Sequence, residues 1–372
     1  MGKKVIVSVI NDLVTDQRVK RVCESLHEMG FDIVLIGRKL HNSPPVDGRH
    51  YPVRRMKLLF EKGPGFYACF QIRLFFYLLF HKAGLLVSND LDTLLPNYLV
   101  AQLKNIPLVY DSHEYFTGVP ELQNNKIKRK TWKLMEQWIF PRLKDVFTVN
   151  DSIADLYATE YGLRPVVIRN VPLRMEKVTV KSRASLGLPE DKNIMILQGS
   201  GINIQRGAEE MVEAMPFIKN AVLLIVGSGD VIGLLKEKVS QLHIEEKVLF
   251  KSRQPYKMLM RYTVAADLGL SLDKGTSINY RFSLPNKIFD YLHAGVPVLA
   301  SNLVEIRKII ETYQVGDFIP DHQPQHIARK VNEIFSHPQK LMQWKQNTQK
   351  ADSELNWENE SKILKKVYAK YV

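Results

Sequence analysis

The sequence predicts an α/β protein of two lobes, each built on a parallel sheet, and two observations support this fold class. Short apolar, β-branched runs alternate with segments of helical periodicity along the whole chain, which is typical of strand–helix units around sheets buried on both faces. The chain has 372 residues, whereas single hydrophobic cores stop growing near ~250–300 residues. We therefore expect two Rossmann-like lobes in tandem, which bind ligands beyond the carboxyl ends of their strands, where the lobes would face each other across a cleft.

Six strand-like runs with helical segments between them predict the first lobe. The strands are expected at Lys4–Ile10, Asp32–Gly37, Leu85–Ser88, Leu108–Tyr110, Val146–Val149 and Val166–Ile168. The helices are expected at Asp16–Met29, Phe66–Lys82, Leu94–Lys104, Lys126–Leu143 and Ser152–Glu160.

A second series of strands follows a polar stretch and predicts the second lobe. Its strands are expected at Ile194–Gln198, Val222–Val226, Val248–Phe250, Leu268–Leu272, Val298–Ala300 and Phe318–Ile319. We expect the first lobe to span residues 1–175 and the second 176–350. A C-terminal helix at 351–372 is expected to cross back to the first lobe.

Composition indicates an ordinary globular protein in a reducing compartment. Hydrophobic residues make up 45% and charged residues 24% of the chain, which excludes disordered, collagen-like and coiled-coil classes. The two cysteines, Cys23 and Cys69, lie in helical stretches, so neither a disulfide framework nor a cysteine metal site is expected. The N-terminus is interpreted as a first strand and not as a signal peptide. No membrane-spanning segment is predicted.

The excess of basic residues indicates anionic partners. Lys and Arg exceed Asp and Glu by 13, which is consistent with phosphates, nucleic acid or a membrane surface. A nucleic-acid module signature is missing, so the basic clusters at Arg54–Lys57 and Lys126–Lys130 are interpreted as solvated faces and no nucleic acid is expected. The apolar stretch Phe66–Phe80 could make a peripheral contact with an anionic membrane, but a helix buried in the first lobe is the preferred interpretation.

A cluster of polar residues follows a buried strand of the first lobe. Asp111–Glu114 comes directly after Pro107–Tyr110, so it lies at the carboxyl end of a strand, where an open sheet binds its ligand. His113 is either a site residue or a structural histidine, and both interpretations stay open. Asn89–Asp92 ends the preceding strand and is interpreted as helix capping. Asp90 and Asp92 also have the spacing of an Asp-x-Asp metal signature.

Glycine turns follow two strands of the second lobe. Gln198–Gly201 follows one strand and Arg206 stands just ahead of a helix, where backbone N–H groups and a bidentate guanidinium could hold a phosphate. Gly227–Gly229 repeats the turn after the next strand. Such short glycine patterns are weak signals when taken alone.

The most informative segment is Ser283–Ala300. Pro285 suits a first helical turn, and the exposed amides of that turn could hold a diphosphate. Asp290 follows just over one turn later, where a carboxylate can accept hydrogen bonds from a ribose diol. Gly295 closes the helix before Pro297.

With these segments the chain resembles family 4 of the retaining, nucleotide-sugar-dependent glycosyltransferases, which have the GT-B fold. The resemblance spans nearly the whole chain. It rests on Val109–Glu114, Arg206 with Gly207, Val226–Gly229 and above all Pro285–Val298.

The resemblance implies a role for each matched position. His113 corresponds to a histidine near the transferred sugar and Arg206 to a basic residue on the donor diphosphate, and these two are the catalytic candidates. No metal or other cofactor is expected, because basic side chains and helix amides stabilise the departing diphosphate. Acceptor-side candidates are Asn11, Arg18 and Glu114. Donor-side candidates are Gly199, Gly201, Arg206, Gly227, Leu284, Asn286, Lys287 and Asp290.

The sequence departs from the family pattern at three positions and in the loop after the first strand, Asn11–Arg18, which has no glycines. Phe282 stands where the family has the first residue of its acidic pair. Asp290 is one methylene shorter than the usual ribose-binding glutamate. Gly201 stands where an arginine is common.

The resemblance predicts transfer of a sugar, with retention, from a nucleotide-sugar to a glycan or lipid-linked acceptor. We expect this in cell-surface polysaccharide synthesis, in the cytoplasm at the inner face of the membrane. A catalytically degenerate binding subunit and a sugar-nucleotide 2-epimerase are the alternatives, and Phe282 counts against the epimerase. A Rossmann oxidoreductase is excluded because no G-x-G-x-x-G follows Val5–Ile10.

Overall fold

The structure is a computed structural model that describes residues 2–14, 16–46, 48–119, 122, 125–174, 178–179 and 182–372. The chain divides into two compact units. The first contains Met1–Asn170 and Trp357–Val372, and the second contains Val171–Asn356. The boundary predicted between residues 175 and 176 lies outside the described residues.

The first unit has a seven-stranded parallel sheet in the order β3-β2-β1-β4-β5-β6-β7 within the described residues. The strands are β1 (Lys4–Ser8), β2 (Asp32–Lys39), β3 (Val53–Lys57), β4 (Leu85–Asn89), β5 (Leu108–Ser112), β6 (Asp145–Thr148) and β7 (Val166–Val167). The helices are α1 (Gln17–Glu28), α2 (Gly63–Phe80), α3 (Leu91–Lys104), α4 (Lys126–Ile139) and α5 (Asp151–Tyr161).

The second unit has a six-stranded parallel sheet in the order β10-β9-β8-β11-β12-β13 within the described residues. Its strands are β8 (Asn193–Gly199), β9 (Ala221–Gly227), β10 (Val248–Lys251), β11 (Leu268–Ser271), β12 (Val298–Ala300) and β13 (Gly316–Phe318). Its helices are α6 (Ala208–Ala214), α7 (Ile232–Gln241), α8 (Tyr256–Val264), α9 (Ile278–Arg281), α10 (Asn286–His293), α11 (Val304–Tyr313), α12 (Pro324–Ser336) and α13 (Pro338–Glu354).

Both sheets reverse their strand order beside their first strand. In the first unit β1 pairs with both β2 and β4, and in the second unit β8 pairs with both β9 and β11. Chain connections leave such a pair of strands in opposite directions, which opens a crevice at their carboxyl ends. This topology therefore gives each unit one favoured place for a ligand.

Each sheet is buried on both faces, as the apolar strands predict. Along β1, Val5 and Val7 belong to one apolar cluster, and Ile6 between them belongs to another. Along β8, Met195 and Ile196 alternate in the same way. The period of two along a strand places successive side chains on opposite faces.

The C-terminal helix α14 (Trp357–Tyr368) belongs to the first unit, which confirms that the end of the chain returns to that lobe. Trp357 and Tyr368 are buried in the cluster that covers one face of the first sheet. The indole N–H of Trp357 donates to Ser25 Oγ over 3.1 Å, and the Arg21 guanidinium lies 5.4 Å from the Trp357 ring centre.

The structure corrects two sequence predictions. The basic stretch around Arg54 forms β3, an edge strand that pairs with β2, where charged side chains suit an exposed edge. This strand was missed because its charges resemble a solvated loop. Pro285 stands at the N-cap position of helix α10 and not in its first turn, because its ψ of 138° is extended.

Helix α2 is buried on one side only. Phe66, Phe70, Leu74 and Leu78 form its buried stripe, which confirms that the helix packs in the core of the first unit. Its opposite side, which includes Phe76, is exposed. No helix in the described ranges is both long and apolar enough to cross a bilayer.

Candidate active site

The loops after β8 and β11 contact each other closely at the carboxyl edge of the second sheet. Gln205 and Gly207 both have positive φ, at 67° and 73°. A Cβ on Gly207 would lie 2.3 Å from the carbonyl oxygen of Leu272, so only glycine fits there. The Lys274 amide donates to Gln205 O over 3.0 Å. The loop after β8 is thereby fixed against the loop after β11.

A buried carboxylate between these loops holds two cations. Asp273 has no exposed surface and accepts a hydrogen bond from Arg206 Nη1 over 2.9 Å. Lys287 Nζ lies 3.5 Å from its other carboxylate oxygen. Burial opposes ionisation, but Lys287 and Arg206 outweigh it and hold the pKa of Asp273 below its usual value. A guanidinium and an ammonium therefore share one anchor at the edge where a ligand is expected.

The surroundings of Arg206 leave polar atoms without partners. The Arg206 guanidinium lies 4.7 Å from the Tyr280 ring centre, which fixes its plane. Among the described residues, Arg206 Nε and Ser283 Oγ are buried and have no hydrogen-bond partner. Helix α10 begins three residues after Ser283, so its first backbone N–H groups lie in the same segment. These donors match an anionic ligand such as a phosphate.

Asp290 is positioned by a chain of hydrogen bonds. Thr263 Oγ1 donates to Gln198 Oε1 over 2.7 Å, and Gln198 Nε2 donates to Asp290 Oδ2 over 3.0 Å. The hydroxyl of Tyr256 donates to Asp290 Oδ1 over 2.7 Å. Gln198 and Thr263 are buried, whereas Tyr256 is exposed. One carboxylate oxygen of Asp290 is thus held by a buried glutamine and the other by an exposed tyrosine.

The other donor-side candidates lie on the same edge. A Cβ on Gly199 or Gly201 would meet no protein atom closer than 3.8 Å, so these turns leave open space. Gly227 has φ 146°, and a Cβ there would lie 1.8 Å from Gly199 O. Leu284 is half-buried and Asn286 is exposed at the start of α10. Their contacts to a donor stay predictions.

In the first unit, the carboxyl edge contains a buried ion pair. Arg18 Nε and Nη2 donate to both oxygens of Asp111 over 3.1 and 2.7 Å, and Arg18 Nη1 donates to Ile168 O over 2.6 Å. Both side chains are 3% exposed. All three nitrogens of the Arg18 guanidinium thus donate to groups of the protein itself. A contact of Arg18 to an acceptor stays a prediction.

His113 lies between two carboxylates at this edge. Its Nδ1 is 3.4 Å from Asp90 Oδ2, and its Nε2 is 3.6 Å from Asp111 Oδ2 and 3.2 Å from Asn89 Oδ1. Burial alone would lower the pKa of His113, but Asp90 and then Asp111 raise it to about 9. At neutral pH His113 is thus an imidazolium that donates hydrogen bonds and carries positive charge.

We expect the charge of His113 to appear in the pH dependence of stability. Because its pKa is higher in the folded than in the unfolded state, its stabilising effect is complete below about pH 6.5 and is lost as the pH rises through about 9. The melting temperature of the wild type should therefore fall more steeply between pH 7 and pH 9.5 than that of His113→Gln. Scanning calorimetry of both proteins measures this, and parallel curves would contradict the assignment.

Asp90 has a backbone conformation that only glycine adopts readily. Its φ of 57° with ψ of 167° lies in a glycine region. Its amide donates to Asp111 O over 2.9 Å, and its Oδ1 accepts from the His113 amide over 2.8 Å. Asp90 stands at the N-cap position of α3, yet its carboxylate does not cap the helix, contrary to the sequence interpretation. Strain of this kind is common at functional sites.

Comparison of two substitutions isolates the strain at Asp90. Both Asp90→Ala and Asp90→Gly remove the carboxylate, but only glycine relaxes the backbone. We expect Asp90→Gly to be more stable than Asp90→Ala by about 1 kcal/mol in denaturant titrations. Equal stabilities would show that the backbone at this position is not strained.

The remaining acceptor-side candidates lie in the loops after β1 and β5. Asn11 Nδ2 donates to Asp16 Oδ2 over 2.6 Å, and Asn11 Oδ1 accepts from the Leu13 amide. Glu114 has an exposed side chain, and its carbonyl oxygen accepts from Ser112 Oγ over 2.7 Å. Contacts of Asn11 and Glu114 with an acceptor stay predictions.

Three residues of the site were missed by sequence reasoning. Asp273 follows a strand end, which is the one signal that could have identified it. Tyr256 begins α8 and gives no signal, because an exposed tyrosine fits many positions. Glu136 is buried in α4, where it accepts from Tyr161 OH over 2.7 Å and from Thr117 Oγ1 over 3.3 Å, and thereby supports the loop that follows His113.

The described residues contain no group of three or more His, Cys, Asp or Glu side chains that could hold a metal ion. In the Asp-x-Asp pair, the Asp90 carboxylate accepts a hydrogen bond from the His113 amide, and Asp92 is buried at the start of α3.

Two family profiles match this chain in succession. Residues 16–172 match Glycosyltransferase Family 4, and residues 179–351 match Glycosyl transferases group 1. Arg206, Lys287 and Asp290 all lie within the second match.

A curated relative is the chitobiosyldiphosphodolichol beta-mannosyltransferase of Candida albicans. It is 30% identical over 141 residues, which cover 36% of this chain and 29% of that protein. The chain spans less than half the length of the curated relatives it matches, since the aligned segments cover at most 48% of them.

Solved structures share the fold over nearly the whole chain. Sucrose-phosphate synthase from Thermosynechococcus elongatus has a TM-score of 0.80 at 18% identity and covers 99% of this chain and 98% of its own. Anabaena HepE in complex with UDP-glucose has a TM-score of 0.77 at 16% identity and covers 99% and 100%. These likenesses show the GT-B fold. With both family profiles matched in order, the chain belongs to the family 4, group 1 glycosyltransferases.

Proposed function

We propose that this protein transfers a sugar, with retention at the anomeric carbon, from a nucleoside diphosphate sugar to a glycan or lipid-linked acceptor. The observation that supports this most is the pair Arg206 and Lys287, which Asp273 holds at the carboxyl edge of the second sheet. Two fixed cations suit the two phosphates of such a donor, and they would stabilise the charge of the departing diphosphate without a bound metal.

The proposed donor site extends from the diphosphate to the ribose. The first amides of α10 lie beside Lys287 and would bind a phosphate oxygen. Asp290, which follows on the same helix, would accept hydrogen bonds from the ribose diol after displacing the hydroxyl of Tyr256. HepE was crystallised with UDP-glucose, so UDP-sugars are the first donors to test.

On the acceptor side, we propose that His113 provides positive charge and hydrogen bonds to the transferred sugar or the acceptor. Its imidazolium is fixed by Asp90 and Asp111. The Candida relative is named for a dolichol-linked substrate, which supports a lipid-linked acceptor. We further propose that the reaction serves cell-surface polysaccharide synthesis at the cytoplasmic face of a membrane.

A transfer assay tests this function. The protein is incubated with nucleotide-sugars and a set of glycan and lipid-linked acceptors, and the product linkage is determined by NMR. We expect the donor's anomeric configuration to be kept in the product. An inverted product would refute retention. Nucleotide binding without transfer to any acceptor would favour the degenerate binding subunit, and release of the free 2-epimer would favour the epimerase.

A further inference from the structure

Exposed apolar side chains are concentrated in one stretch of the chain within the first unit. In the described residues, nine of the twenty exposed large apolar side chains lie between residues 59 and 138. We call this set the apolar surface, and it consists of Leu59, Phe60, Ile72, Phe76, Phe80, Leu103, Ile127, Leu134 and Trp138.

Helix α2 contributes a regular stripe to this surface. Ile72, Phe76 and Phe80 recur every four residues, which places them on one side of a helix. Phe76 and Phe80 are 50% and 76% exposed, and their rings stack with centres 6.2 Å apart. The opposite side of α2 packs into the core of the first unit. The exposed stripe therefore takes no part in that packing.

Helix α4 has a second stripe of exposed apolar side chains. Ile127, Leu134 and Trp138 follow helical spacing and are exposed, whereas Glu136 and Ile139 face inward. Ring contacts join the helices, since Trp132 of α4 lies 5.4 Å from Tyr67 of α2 and Trp138 lies 5.6 Å from Tyr98 of α3. The two stripes therefore belong to neighbouring helices of one unit.

The segments that contain the two stripes are rich in basic residues. The segment 53–82 contains six Lys or Arg and one acidic residue, and the segment 126–144 contains seven and one. The acidic residue of the second segment is Glu136, which is buried. Lys126, Lys128 and Lys130 are exposed. Exposed aromatic side chains in strongly basic segments complement an anionic bilayer surface, where rings enter the headgroup region and lysines attract the lipid phosphates.

We propose that the apolar surface docks the first unit on an anionic lipid membrane. Phe76, Phe80 and Trp138 would enter the boundary between headgroups and acyl chains, and the lysines of α4 would contact the phosphates. The inner side of α4 supports the loop after His113 through Glu136 and Thr117. A docked α4 would therefore bring that loop near the membrane, where a lipid-linked acceptor is found. Only this consequence rests on the proposed function, because membrane docking itself requires no transfer.

Co-sedimentation of the full chain with lipid vesicles tests the proposal. We expect binding to vesicles of phosphatidylglycerol and phosphatidylcholine, weak binding to phosphatidylcholine alone, and loss of binding at high salt. The double variant Phe76→Ser/Phe80→Ser should reduce the partition coefficient by about tenfold or more. Lys126→Glu/Lys130→Glu should reduce it on anionic vesicles only.

Phe217 provides a matched control, because it is also 50% exposed but lies in the second unit. Phe217→Ser should bind vesicles as the wild type does. The proposal is overturned if the wild type ignores anionic vesicles, if Phe76→Ser/Phe80→Ser binds as the wild type, or if these residues instead join two copies in sedimentation velocity runs without lipid. Nucleotide titration of the same proteins separates the two proposals. If only the docking proposal is wrong, the protein binds nucleotide but not vesicles. If only the proposed function is wrong, it binds vesicles but not nucleotide.

Discussion

Replacing Arg206 by alanine is expected to lower kcat/KM for sugar transfer by about 10²–10³-fold. The guanidinium is held by Asp273 at 2.9 Å and by the Tyr280 ring, so its free donors are already oriented before a ligand arrives. Such preorganised charge acts where negative charge develops on the departing diphosphate. Lys287 remains on Asp273 in this variant, so the buried carboxylate keeps one partner and the protein should stay folded.

Arg183 offers a matched control for this substitution. It donates to both oxygens of Asp267, and the two side chains are 22% and 25% exposed. Asp267 precedes β11, whereas Asp273 follows it, so the control pair lies at the opposite end of the strand. Arg183→Ala should lower stability by about 1–3 kcal/mol while kcat/KM changes little. Activity losses in both variants that simply follow the loss of stability would contradict the role of Arg206.

The second large effect is expected at Asp290. Asp290→Ala should weaken nucleotide binding by about 10–100-fold, since a charged acceptor for two hydroxyl groups is lost. The melting temperature should fall as well, because the buried amide of Gln198 loses its acceptor. Isothermal titration calorimetry of the folded variant measures the affinity directly.

Tyr256→Phe separates ligand binding from structure at this position. The substitution removes the hydroxyl that donates to Asp290 Oδ1 and leaves the carboxylate in place. If the ribose displaces this hydroxyl, Tyr256→Phe should bind the nucleotide at least as tightly as the wild type. Unchanged affinity in Asp290→Ala would show that the ribose assignment is wrong, and a large loss in Tyr256→Phe would assign the nucleotide contact to the tyrosine.

The sheets could be predicted because their signal is local. Runs such as Val222–Val226 are continuously apolar, which is typical of strands buried on both faces. The segment Pro285–Val298 was equally informative, since its proline precedes one helix, its carboxylate lies on that helix and its glycine follows it. In contrast, β3 has the sequence Val-Arg-Arg-Met-Lys, and its charges concealed the alternation of an edge strand.

The electrostatics of the site could not be predicted because its partners are distant in sequence. Arg206 and Asp273 are 67 residues apart, and Arg18 and Asp111 are 93 residues apart. A single aspartate after a strand is too common a pattern to identify its partner. The raised pKa of His113 follows from three-dimensional contacts with Asp90 and Asp111, and no sequence pattern contains that information.

The departures from the family pattern also gain a structural context. Gly201 leaves no arginine beside Arg206, but Lys287 reaches the same carboxylate, so the cluster still contains two cations. Phe282 ends helix α9 and brings no carboxylate to the site. We propose that these two cations serve in place of the missing arginine.

The proposed donor site is tested most directly by a calorimetric titration of the wild type with UDP, GDP, ADP, CMP and dTDP and with their common sugar conjugates. We expect that one nucleoside diphosphate family binds selectively, that Asp290→Ala loses this binding and that Arg183→Ala keeps it. A ligand that binds only the folded protein will also raise its melting temperature. Absence of binding across the whole panel, by a protein shown to be folded, would contradict the proposed donor site and with it the proposed transfer.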